Sequence, residues 1–143
     1  MQRTSIAMRL ALLLLLGASF PAWSQGVEPG EWELTTISTS RLLSKPQTVI
    51  FKRCVKKEDA ENPERWMMRE ADRNTCAVTP GSRSGDTVRW EFSCPKNNLR
   101  GTGTATSHGS TLEGELRTSL EVQGQRLEIN TRATGRRIGD CST

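Results

Sequence analysis

The chain has 143 residues, with 20 Lys+Arg against 16 Asp+Glu, one histidine, four cysteines and no tyrosine. A formal charge of +4, spread along the chain, is too weak for a nucleic-acid surface. With so few aromatics, a domain of this size has a thin core and gains from covalent cross-links.

Residues 1–24 read as a secretory signal peptide. "MQRTSIAMR" carries Arg3 and Arg9 without an acid, an apolar run covers residues 10–20, and "PAWS" sets the small residues Ala22 and Ser24 before the cut. The run falls well short of the about 20 residues a membrane span requires, so no span is expected. The first cysteine is Cys54, which excludes a lipid-modified cysteine directly after the signal. The mature chain is expected to begin at Gln25, to be soluble and periplasmic, and to form one domain over 25–143. Loss of Arg3 and Arg9 leaves 18 basic side chains against 16 acidic ones, or +2. One basic concentration remains: Arg41, Lys45, Lys52, Arg53, Lys56 and Lys57, with no acid among them. Glu58, Asp59, Glu61 and Glu64 follow at once, so a self-compensating solvated surface is the simpler reading. Contact with an anionic envelope component is the sharper one.

In chain order, "EWELTTIS" and "QTVIFKRC" read as weak strands. The next segment, residues 55–74, is the one long connection. Asn62 as N-cap, Pro63 at the first helical position and Glu64 in the first turn predict a short helix over 63–72. A third strand starts at Cys76. "TVRWEFSC" then sets Val88, Trp90, Phe92 and Cys94 on one face, with Arg89, Glu91 and Ser93 on the other. "TLEGELRTSLEV" turns Leu112, Leu116, Leu120 and Val122 inward, and "RLEINTRAT" does so with Leu127, Ile129, Thr131 and Ala133. This period of two describes half-buried antiparallel strands, wet on one side. Short turn-rich gaps ("GSRSGD", "CPKNN", "SHGS", "VQGQ") predict a meander of sequential neighbours. The expected fold is therefore mainly β: about seven antiparallel strands in a strongly curved sheet or small barrel, with one short helix over an end or edge.

Between "TVRWEFSC" and "TLEGELRTSLEV", the strand "NLRGTGTATS" has Leu99, Gly101, Gly103 and Ala105 on its inward side. A glycine within a strand marks a tight bend or a close approach of something else. Sheet curvature over a small core accounts for Gly101 and Gly103 simply. A shallow groove holding a ligand or peptide is the sharper alternative.

In an exported chain, Cys54, Cys76, Cys94 and Cys141 are expected to form two disulfides. Cys76 and Cys94 flank one hairpin and can approach, leaving Cys54 to fasten Cys141. Cys54–Cys76 with Cys94–Cys141 is nearly as plausible, and the sequence does not choose. There is no C-x-x-C and a single histidine, so neither a metal site nor a cofactor is expected.

"EPGEWELTT" after a signal peptide, "CVKKEDAENP", "CAVTPGSRSGDTVRWEFSC", a Gly-Thr-Gly strand and the closing "GRRIGDC" together resemble the domain of unknown function (DUF) 3617 family. The likeness spans most of the mature chain, roughly Pro29 to Cys141. It implies an exported bacterial protein of the periplasm and supplies no activity.

Residues suited to catalysis are sparse. A nucleophile needs a base beside it, and the one histidine, His108, sits in the turn "SHGS". Glu113 and Glu115 share a strand face, but it is the wet one. "GTGT" opens no helix and is not a phosphate loop. Candidate binding residues are Trp66, Met67 and Met68, a soft apolar surface on the helical segment, with Gly101, Gly103 and the cationic pair Arg136 and Arg137. Packing over the open end of the sheet is the simpler role for Trp66–Met68. The sequence thus points to a non-catalytic periplasmic binding module for an envelope ligand or apolar small molecule. An inhibitor or accessory protein of an envelope enzyme, and a hydrolase using His108, are the alternatives.

Overall fold

The computed structural model describes residues 26–67 and 75–142. The expected signal peptide over 1–24 and its expected junction with Gln25, Met68, and the later part of the helix expected over 63–72 lie outside the described residues.

Seven strands form one antiparallel sheet: β1 (Gly30–Ser40), β2 (Gln47–Val55), β3 (Ala77–Ser84), β4 (Thr87–Cys94), β5 (Leu99–Ser107), β6 (Thr111–Val122) and β7 (Gln125–Gly139). The strands β4, β6 and β7 follow the alternation seen in the sequence, whereas β3 is almost wholly exposed. In β4, Val88, Trp90, Phe92 and Cys94 are all buried while Arg89, Glu91 and Ser93 are exposed. A short helix, α1 (Pro63–Trp66), has Asn62 as its N-cap residue, Pro63 at its start and Glu64 in its first turn.

The strand order is β2-β1-β7-β6-β5-β4-β3, which corrects the expected meander of seven sequential neighbours. Sequential pairing holds for β3 through β7 and for the β1–β2 hairpin. The hairpin then docks through β1 onto the last strand, so β2 and β3 become the two opposite edges. They are not joined, and the sheet does not close into a barrel. Strand β7 runs on past the expected 134 because β1 pairs along it to Glu31↔Gly139, with a register shift between Glu31 and Trp32.

This order explains the long connection. Antiparallel pairing puts the end of β2 and the start of β3 at opposite ends of the sheet, as well as at opposite edges. The connection must therefore pass from one end of the sheet to the other, and its described residues up to Met67 pack on the apolar face. Ala60, Trp66 and Met67 join Trp32, Leu34, Trp90, Phe92, Ala105, Leu112 and Ala133 in one buried cluster. The Trp32 and Trp66 rings lie 5.9 Å apart between centroids. Full burial of such side chains contributes about 1.5–3 kcal/mol each. Both edges hold the crossing segment: Arg53 of β2 donates to the Trp66 carbonyl at 2.6 Å, and Arg83 of β3 to the Glu61 carbonyl at 2.6 Å. Residues just before β1 close the same end. Val27 bridges Gly109, and Ser107 Oγ donates to the Gly26 carbonyl at 2.5 Å.

The cysteines pair Cys54–Cys141 and Cys76–Cys94. Because the hairpin docks on β7, these bonds staple opposite ends of the sheet, where a simple meander would have grouped the first three cysteines at one end. Cys94 is buried and Cys54 is exposed.

Candidate binding surface

The residues singled out in the sequence fall into three places. Trp66 and Met67 are in the core, only 2% and 6% exposed. They face the sheet, where with Val27 and Ala60 they cover part of its apolar face.

Gly101 and Gly103 lie on the core side of β5, paired with Phe92 and Trp90 of β4. A Cβ at Gly103 would overlap the Trp90 indole, and one at Gly101 would overlap the Phe92 ring. The close approach that these glycines permit is made by the protein's own rings, in keeping with the simpler reading of a strand packed tightly over a small core. Gly114 of β6 plays the same part for Met67, whose Cε would be 2.7 Å from a Cβ there.

Arg136 and Arg137 lie near the end of β7 and point to different partners. Arg136 Nε and Nη2 donate to Glu33 Oε1 at 3.0 and 2.7 Å. Arg137 Nε donates to the Pro29 carbonyl at 2.8 Å, and its Nη2 to Asp140. Together they pin β1 and the segment before it to β7. His108 is exposed in the β5–β6 turn, where its backbone N–H donates to the Thr111 carbonyl. No group of three or more His, Cys, Asp or Glu side chains among the described residues could hold a metal ion.

A wide hollow lies elsewhere. It is an open trough of about 880 Å³ along β1, β7 and β6, lined mainly by side chains of the face opposite the core. Register explains its make-up: Ile37, Arg132 and Glu115 stand in one row across the three strands, and Thr39, Asn130 and Arg117 in the next. Glu128 and Ser119 form a third. Arg132 Nε lies 3.6 Å from Glu115 Oε1, and both side chains are largely exposed. A shallower hollow of about 350 Å³ shares Glu115 and Arg132 and continues to Thr104, Thr106, Glu113 and Thr134.

The trough mixes both signs of charge with hydroxyl and amide groups, so it suits a polar surface that brings its own donors and acceptors. Reading the strands for their inward sides passed over it. Its signal was in the outward positions: Thr102, Thr104 and Thr106 alternate on β5, and Arg, Asn and Glu alternate on β7.

A family model described as protein of unknown function (DUF3617) matches residues 27–141. The chain belongs to the DUF3617 family. The match begins at the bridging residue Val27 and ends at Cys141, so in this DUF3617 chain it takes in every strand and both disulfides. No curated protein and no solved structure matches the chain.

Proposed function

We propose that this DUF3617 chain is a non-catalytic binding module of the bacterial envelope, exported to the periplasm, that presents the β1–β7–β6 trough to a polar partner. Export is supported by the leader-like residues 1–24 and by two disulfides, which persist in oxidising compartments. No helix among the described residues is long and apolar enough to cross a membrane.

One observation carries the reading: Trp66 and Met67 pack into the core from within, while an open trough of charged, polar and a few apolar residues lies mainly on the opposite face. A small apolar ligand is favoured by an enclosed apolar pocket. An open, mixed-charge sheet face is better matched to a macromolecule. This favours the accessory or inhibitory role on an envelope enzyme over capture of an apolar small molecule.

Native mass spectrometry of the protein purified from periplasm tests it. A co-purifying component is expected with the wild type and is expected to be absent from the double variant Arg117→Ala, Arg132→Ala, whose urea midpoint should be unchanged. Retention of that component by the folded double variant overturns the reading.

A further inference from the structure

The two sheet edges are built differently. Strand β3 carries Pro80, and its pairing with β4 shifts register between Pro80 and Arg83. Proline and an irregular ladder both discourage a further strand from pairing. Strand β2 has neither device. It keeps one unbroken register against β1 from Gln47 to Val55, and it contains no proline or glycine. Its centre, Thr48-Val49-Ile50-Phe51, is β-branched and aromatic, which favours extended pairing. No described strand pairs with its outer side. Val49 and Ile50, which point to opposite faces, are 54% and 64% exposed. An open edge with apolar side chains on both faces is a template for strand addition.

Charge selects the occupant. Arg41, Lys45, Lys52, Arg53, Lys56 and Lys57 fall in and around β2, and residues 41–57 hold no acid. Glu33 stands opposite Lys52 on β1, but its Oε1 accepts two hydrogen bonds from Arg136. A second copy of β2 at this edge would bring the basic run against itself, and like charges across a ladder are destabilising. An acidic segment is complementary.

We propose that the outer edge of β2 docks an extended acidic polypeptide segment of a partner protein, which adds to the sheet as a further strand. Backbone hydrogen bonds along Gln47–Val55 hold it. Its apolar side chains lie beside Val49 or Ile50, and its acids reach Lys45, Lys52, Lys56 and Lys57. The proposal rests on the binding-module reading and names the partner's chemistry.

The test uses the mature chain and a fluorescein-labelled decapeptide of alternating Glu and Val, followed by anisotropy. Successive N–H groups of a strand point to opposite sides. Of Val49→Pro and Ile50→Pro, one therefore removes an N–H bonded to β1 and the other an N–H facing the open edge. The edge-facing variant is recognised by its wild-type urea midpoint, and Lys52→Glu leaves the backbone intact. Saturable binding is expected for the wild type, weakened by salt and by about tenfold or more in both the edge-facing proline variant and Lys52→Glu.

Failure of the wild type to bind this peptide overturns the proposal, as does unchanged binding by both variants. A wild-type dimer in sedimentation that the edge-facing proline abolishes also overturns it, because the occupant is then a second copy. If the peptide does not bind while Arg117→Ala, Arg132→Ala still loses the co-purifying component, the binding module stands and only the edge assignment falls.

Discussion

Trp90 on β4 and Gly103 on β5 are direct partners across the ladder, and the indole occupies the place where a side chain at 103 would start. Phe92 and Gly101, two residues along, repeat the arrangement. The glycines let the large rings of a core poor in aromatics lie flat against the neighbouring strand, leaving the other side of the rings to meet the crossing segment.

Replacing Gly103 by Ala therefore forces the Trp90 ring to move and is expected to cost about 1–3 kcal/mol. Gly139→Ala is the control, because a Cβ there meets nothing within 4 Å and is expected to change stability by less than about 0.5 kcal/mol. Urea midpoints of the two variants check the contrast. Equal midpoints would mean that the indole has room to shift.

The disulfides close loops of unequal length, 87 residues apart for Cys54–Cys141 and 18 for Cys76–Cys94. On loop entropy alone, the first is worth about 4.5 kcal/mol and the second about 3. The paired variant Cys54→Ala, Cys141→Ala should lose more stability than Cys76→Ala, Cys94→Ala. Exposure adds a kinetic expectation. Under a mild reductant followed by alkylation, mass spectrometry should find Cys54 and Cys141 labelled before the buried Cys94.

Glu64 is 5% exposed, and among the described residues its Oε2 has no hydrogen-bond partner, as is also true of Trp66 Nε1 and Trp90 Nε1. A buried polar atom without a partner costs about 1–3 kcal/mol. Glu64→Met keeps the length of the side chain and removes the carboxylate. It is expected to raise stability by a similar amount, measured as a higher urea midpoint at neutral pH. A lower midpoint would show that the carboxylate is held by an interaction more favourable than its burial is costly.

Trp66 and Arg136 should separate core from surface. Trp66→Ala opens a cavity under the sheet and is expected to cost about 3–5 kcal/mol. Arg136→Ala breaks a pair in which the arginine side chain is 67% exposed, and is expected to cost about 1 kcal/mol or less. If Trp66→Ala instead left the midpoint unchanged and removed a bound partner, the indole would be a contact residue.

The alternation of Val88, Trp90, Phe92 and Cys94 was enough to read β4 and its buried face, because a strand's period of two is a local property of the backbone. The start of α1 was legible for the same reason, in Asn62, Pro63 and Glu64. What lay beyond local pattern was the docking of β1 on β7, which pairs residues about a hundred positions apart, such as Glu33 and Arg136. Short gaps favour sequential neighbours, but they do not say which strand receives the ends of a meander. That single pairing turned β2 and β3 into opposite edges and put Ala60, Trp66 and Met67 of the connection between them on the apolar face. It buried Trp66 and Met67, left the trough on the wet face, and left β2 unprotected. Composition and periodicity therefore settle that this chain makes half-buried antiparallel strands. Which surfaces remain available to a partner follows from non-local pairing, since only the assembled sheet determines which apolar faces find a cover within the chain.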